Sequence, residues 1–209
     1  MKIEEQLKKA LEELRKGEKR KFVQTIDLII NLQKFDVKKT PLNIFVSVPH
    51  KIKEKKIGAF LESKNKDVDT ITKEEFKRYS DKKELKKLVK KFDFFIAQAN
   101  LMANVATTFG RFLGPAGKMP SPQLGVVLNA DEKSIRELKE KINNSVKVRA
   151  KESSLKFAIG KENMKDEDII DNIMAVYNAV LKVLPKENEN LKNVEIKFTM
   201  TKPVKINVK

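Results

Sequence analysis

The chain has 209 residues, 40% of them hydrophobic, which is enough to build cores and excludes a wholly disordered basic tail. It carries 45 Lys and Arg against 29 Asp and Glu, a formal net charge of +16, so polyanions are the expected partners, nucleic acid before an anionic membrane surface. Cysteine is absent and His50 is the only histidine, which excludes disulfides and cysteine zinc sites and makes any Ser–His–Asp triad depend on that one side chain.

The first residues, Met1-Lys2-Ile3-Glu4-Glu5, carry acids and lack the apolar stretch of a signal peptide. No apolar run reaches the ~18 residues of a membrane-spanning helix, so a soluble intracellular protein is expected. Ile3, Leu7, Leu11 and Leu14 recur at helical spacing with charges between them, which predicts an amphipathic helix over 3–15 with Gly17 as its stop. Residues 20–32 are rich in β-formers and put Phe22, Ile26, Leu28, Ile30 and Leu32 on one parity, as in a strand with one buried face. Leu42, Ile44, Val46 and Val48 alternate as a second strand, ended by Pro49. The polar loop between the two strands contains Asp36 and Pro41 and suggests an antiparallel pair.

Composition then changes. Residues 51–91 hold 15 basic and 8 acidic side chains, the largest surplus of any segment. Residues 92–144 are nearly neutral and hold Gly110, Gly114, Gly117 and Gly125 together with Pro115, Pro120 and Pro122. The shift marks a separate structural unit. Within it, Ile57–Leu61 is a short apolar run, and Lys82–Lys91 is a basic helix with Leu85, Leu88 and Val89 on one face. Phe92–Ala97 reads as a buried strand, Leu101–Leu113 as a helix and Val126–Leu128 as a brief strand. Asp131 can cap a helix over Ser134–Asn143. Strand and helix in alternation imply an α/β unit on a parallel sheet.

Residues 145–209 return to alternation. Val146 and Val148, then Leu155, Phe157 and Ile159, predict two strands. Asp166 or Asp168 caps a helix containing Ile169, Ile173, Val176, Val180 and Leu184, which Pro185 stops. Val194, Ile196 and Phe198, then Val204, Ile206 and Val208, predict two more. Both ends of the chain are thus mixed antiparallel α+β. The simplest arrangement is a discontinuous α+β domain from residues 1–53 and 145–209, with a Rossmann-like α/β domain inserted at 54–144. The two chain crossings, near 53–56 and 143–146, would form a hinge.

Gly114-Pro115-Ala116-Gly117-Lys118 invites comparison with a phosphate-binding loop, but Phe112 stands where its first glycine belongs and Met119 where its Ser or Thr belongs. A tight structural loop is the better reading, and no nucleotide or other cofactor is expected. The carboxylate pairs, Glu74-Glu75 and Asp166-Glu167-Asp168, suit solvated faces and helix starts rather than acid–base catalysis. His50 at a strand end suits a surface or hydrogen-bonding role, and no enzyme activity is expected. Lys83, Lys86, Lys87 and Lys90 share one side of the basic helix, which is either a phosphate-contacting stripe or a solvated face. By these patterns alone the chain is a basic two-domain RNA- or DNA-binding protein.

The stretch Leu113-Gly114-Pro115-Ala116-Gly117-Lys118-Met119-Pro120-Ser121-Pro122 resembles the signature of the L-one family of large-subunit ribosomal proteins, which belong to the mobile side stalk. Lys21-Phe22-Val23-Gln24-Thr25-Ile26-Asp27-Leu28 is similar to that family's first strand, and Phe198-Thr199-Met200-Thr201-Lys202-Pro203 to its C-terminal Ser-Thr-Met-Gly-Lys-Pro. Val48-Pro49-His50 and Ile159-Gly160-Lys161 match in order, and the resemblance, in an archaeal or eukaryote-like form, spans essentially the whole chain. It implies the same two-domain architecture and a first domain that grips stalk ribosomal RNA. Phe22, Thr25, Asp27, Gly160, Lys161, Thr199, Met200 and Thr201 fall at the matching positions. Thr hydroxyls suit ribose 2′-OH groups, Asp27 can accept from ribose or base donors, and Met200 or Phe22 can pack on sugars or bases. Phe22 is either such a contact or, by its parity with Ile26 and Leu28, a core residue.

Thr201 departs from the family, which has Gly there; either the backbone is extended at this point or the contact geometry differs. The resemblance further implies contact with tRNA at the exit site, aiding release of deacylated tRNA, and translational repression through the protein's own mRNA. It implies a cytoplasmic, ribosomal location and a monomer when free of the ribosome. A ribosome-assembly factor or RNA chaperone sharing the fold is the alternative.

Overall fold

The computed structural model describes residues 3–17, 20–37, 42–150 and 152–207; Pro41 and Val208, read above as loop and strand, lie outside the described residues. The fold is mixed α/β, in two compact units: Met1–Lys53 with Asn144–Lys209, and Glu54–Asn143. Asn144 lies in the first unit. The first stretch contributes α1 (Ile3–Arg15), β1 (Thr25–Leu32) and β2 (Asn43–Ser47). The second unit contributes β3 (Ile57–Phe60), β4 (Asp69–Ile71), α2 (Lys82–Lys91), β5 (Phe94–Gln98), α3 (Met102–Ala116), β6 (Val126–Val127) and α4 (Glu132–Asn143). The chain returns to the first unit with β7 (Ser145–Arg149), β8 (Ser154–Lys161), α5 (Asp166–Val183), β9 (Leu191–Phe198) and β10 (Val204–Ile206). Among the described residues no helix is long and apolar enough to cross a membrane.

In the first unit, β10, β9, β1 and β8 form an antiparallel sheet in that order. The period-two pattern of β1 sends Ile26, Leu28, Ile30 and Leu32 to one face. There they meet Leu7, Ala10, Leu11 and Leu14 of α1 and Ile169, Ile173, Val176 and Val180 of α5 in a single core. Burial of each large aliphatic side chain is worth about 1.5–3 kcal/mol. The opposite face carries Asp27, Ile29 and Asn31, flanked by Lys156 and Ala158 on β8 and by Glu195 and Lys197 on β9; all stay half-buried or exposed.

At three points the fold departs from the pattern expected of the sequence. β2 does not pair with β1, because both edges of β1 are taken by β8 and β9; β2 pairs antiparallel with β7 instead. Neither Asp166 nor Asp168 caps α5. Its N-cap is Lys165, and Asp166 opens the helix paired with Arg15 at 2.6 Å. Phe22 is not a core residue: β1 begins only at Thr25, so strand parity does not reach it, and the residue is 53% exposed.

In the second unit, β4, β3, β5 and β6 form a parallel sheet. Such pairing needs crossover connections; α2 and α3 lie in those leading into β5 and from β5 to β6, whereas residues 61–68 join β3 to β4 without a helix. β4 is too short and polar to have been read from the sequence. Phe60, Phe76, Phe95 and Phe109 make the core, with Phe60 and Phe109 ring centres 4.8 Å apart and Phe60 and Phe95 stacked at 5.4 Å. Leu85 and Leu88 face that core, which turns the lysines of α2 outward. The glycine-rich stretch is not a loop throughout: α3 runs through Pro115 to Ala116.

Candidate nucleic-acid interface

Three strand ends meet at one end of the four-stranded sheet: the start of β1 and the ends of β8 and β9. Thr25 lies opposite Lys161, and Ile26 lies between Gly160 and Phe198. Asp27 lies between Ala158 and Lys197. The residues singled out from the sequence are therefore gathered at one corner.

Hydrogen bonds fix this corner. Thr199 N donates to Thr25 O at 3.1 Å, and Thr25 N donates to Thr199 Oγ1 at 3.1 Å. The Thr199 hydroxyl in turn lies 3.3 Å from Thr25 O. A threonine hydroxyl has one proton and two lone pairs, so one lone pair is left for an outside donor. Gln24 is 1% exposed although polar, and three of its polar groups are bonded internally. Its Oε1 accepts from Met200 N at 3.2 Å. Its backbone N–H donates to Glu162 Oε2 at 3.2 Å, and its carbonyl accepts from Glu162 N at 2.9 Å. Gln24 thus joins the start of β1 to the residue after β8 and to the turn after β9.

The segment after β8 is held from below by Arg15 of α1. Its guanidinium donates to Asp166 Oδ1 at 2.6 and 2.9 Å, to Glu162 O at 2.9 Å and to Met164 O at 3.0 Å. Gly160 belongs to this floor rather than to the surface. It is buried, and a Cβ there would lie 3.2 Å from Ile169 Cγ1 of α5. Lys161 and Thr199 are exposed, while Thr25, Asp27 and Thr201 are half-buried. Burial pushes the Asp27 carboxyl above its ordinary range, and the ammonium of Lys197 pulls it back.

The surface of the corner is apolar at its tips. Phe22 and Val23 are more than half exposed, and Met200 is 60% exposed. Large apolar side chains left in water beside lysines suit a partner that offers flat faces to stack on and phosphates to neutralise.

The second unit does not form a phosphate loop. Gly117 is left-handed (φ 70°, ψ 21°), and its N–H donates to Gly114 O, while Lys118 N donates to Leu113 O at 2.9 Å. This is a helix C-cap. Lys118 Nζ donates to Val89 O and Phe92 O, both at 2.7 Å, at the C-terminal end of α2. The amine of the motif is thus directed at helix-end carbonyls. Lys83, Lys86, Lys87 and Lys90 are all exposed on α2, with Lys87 paired to Glu84 at 2.8 Å. His50 is structural: its N–H and C=O bond the buried side chain of Asn172, each at 3.0 Å, and its ring lies near Asp168 and Asp171.

Sequence reasoning missed Gln24, Glu162, Arg15 and Lys197. Gln24 left one signal, a polar residue on the parity of Ile26 and Leu28, where an apolar one is expected. The others become meaningful only when strands distant in sequence are side by side.

The model of the family described as "Ribosomal protein L1p/L10e family" matches residues 14–202. The large ribosomal subunit protein uL1 of Nanoarchaeum equitans is 37% identical over 213 residues, covering 97% of this chain and 98% of that protein. Those of Pyrobaculum calidifontis and Archaeoglobus fulgidus are 36% and 35% identical, covering 96% and 97% of this chain and 92% and 97% of their own lengths.

Proposed function

This chain belongs to the ribosomal protein L1p/L10e family, and from that premise we propose that it is a structural constituent of the large ribosomal subunit which holds the ribosomal RNA of the mobile side stalk. The observation that supports this is the corner itself, where exposed Phe22 and Met200 flank a hydrogen-bonded frame of Thr25, Gln24 and Thr199, with Lys161 and Asp27 beside them. Phe22 and Met200 pack on bases and sugars, the open lone pair of Thr199 accepts from a 2′-OH, and Lys161 answers a phosphate. The lysines of α2 add attraction without sequence preference. The protein works in the cytoplasm on the ribosome, is a monomer when free, and meets tRNA at the exit site, where stalk movement aids release of deacylated tRNA. The same corner takes a look-alike site on the protein's own mRNA and so represses translation.

A footprint of the purified protein on ribosomal RNA tests the central claim. Protection confined to the stalk junction is expected. Diffuse protection that vanishes at moderate salt would reduce the protein to a generic polycation. Retention on salt-washed mature subunits in a sucrose gradient separates a constituent from an assembly factor.

A further inference from the structure

The turn Phe198–Thr201 keeps no backbone N–H for a partner. Phe198 N donates to Thr201 Oγ1 at 2.9 Å, Thr199 N to Thr25 O at 3.1 Å, Met200 N to Gln24 Oε1 at 3.2 Å and Thr201 N to Phe198 O at 3.2 Å. Thr201 closes this set from both sides, because its hydroxyl also lies 3.4 Å from Phe198 O. Its side chain therefore ties the last residue of the turn to the first. The backbone there needs no glycine: Lys34 and Glu187 are the non-glycine residues with positive φ among those described, and Thr201 is not one of them. A β-branched residue sits in this turn without strain and fills a structural role that a glycine, having no side chain, does not supply.

We propose that Thr201 is a positioning residue for RNA binding: its hydroxyl locks the Phe198–Thr201 turn in the shape that holds Met200 out over the corner. Met200 is anchored through its backbone to a buried amide while the residue stays 60% exposed, so the turn is ordered before any partner arrives. Ordering a contact loop in advance removes part of the entropy loss on association. With its N–H groups used internally, the turn has only acceptors and an apolar tip to offer, and a partner must supply donors such as sugar hydroxyls or base amines. The proposal rests on the reading that this corner binds stalk RNA.

The test compares Thr201→Val, Thr201→Ser and Met200→Ala with the wild type, using a transcribed stalk fragment of large-subunit ribosomal RNA. Thr201→Val keeps the shape and loses the hydroxyl; affinity is expected to fall about five- to ten-fold, the value of one hydrogen bond. Thr201→Ser keeps the hydroxyl and is expected to bind within about two-fold of wild type. Exchange of the Phe198 amide hydrogen in the free protein should quicken in Thr201→Val and not in Thr201→Ser. Wild-type affinity in Thr201→Val alongside weaker binding by Met200→Ala overturns the positioning role and leaves the corner as the interface. An equal fall in the Val and Ser variants overturns it too, since the hydroxyl would not be the group that matters. Wild-type affinity in all three removes the corner as the interface and the proposal with it.

Discussion

Asp27 shows how a single side chain at the corner balances two demands. Burial raises its carboxyl above the ordinary 3.8, and Lys197 only partly opposes this. A raised folded-state pKa means that the folded protein holds the proton more tightly than the unfolded chain does. The ionised group then lowers stability at neutral pH, and this cost disappears as pH falls through the raised value toward the unfolded one. Asp27→Asn is expected to raise the thermal midpoint at pH 7 and to lose that advantage near pH 3, while weakening binding to the stalk fragment. An equal shift at both pH values would show that charge is not the cause. Thr199→Ala removes a hydroxyl bonded to Thr25 from both sides and should destabilise the first unit by about 1 kcal/mol in denaturant unfolding, with Thr199→Ser restoring it. Thr25 and Thr199 were legible because each lies in a run of family-like residues. The exposure of Phe22 was not, since alternation carries Phe22 to the core side only in a strand that begins before Thr25. Nor was Gln24, because a sequence does not say which polar group will find its partners inside.

At the scale of elements, the end of α3 matters most. Helix C-termini leave carbonyls unpaired and carry partial negative charge. Lys118, just past the cap of α3, supplies an ammonium to the end of α2. Lys118→Met is expected to destabilise the second unit by about 1–2 kcal/mol, read as a lower melting temperature. Added nucleotide should not shift that temperature in either form, and a nucleotide-dependent rise would contradict the capping role. Gly125 is constrained in another way, by φ +132° and by a Cβ position 3.1 Å from Phe95 O, so Gly125→Ala should cost about 1–3 kcal/mol in the same melt. The helical spacing of α1 predicted its bounds because its apolar stripe and its charges agree. The pairing of β2 was misread because nearness in sequence suggests a hairpin, whereas sheet order is decided by which strands fill both edges of β1. The start of α5 was misread because three acids in a first turn suggest a cap, while one of them is held by an arginine from the other end of the chain.

At the scale of the whole molecule, the +16 charge and the corner govern different measurements. Plotted as log affinity against log salt, binding to the stalk fragment should fall along a line whose slope counts displaced counterions. Met200→Ala should lower that line without tilting it. Lys86→Gln with Lys90→Gln should flatten it by about one for each phosphate no longer neutralised, and an unchanged slope assigns that face of α2 to solvent. The composition announced the attraction but not the selection, because charge adds up along a chain whereas the corner exists only after folding. That has a consequence for the order of events during synthesis. β1 is made early, yet its two neighbours, β8 and β9, come from the last third of the chain. The inserted unit has its whole sequence available first and can fold while β1 waits with both edges open. The frame of Thr25, Gln24 and Thr199 closes only when the final strands arrive. On the function proposed above, a half-made copy is blind to its RNA, and only a completed chain can enter the subunit or silence the message that encodes it.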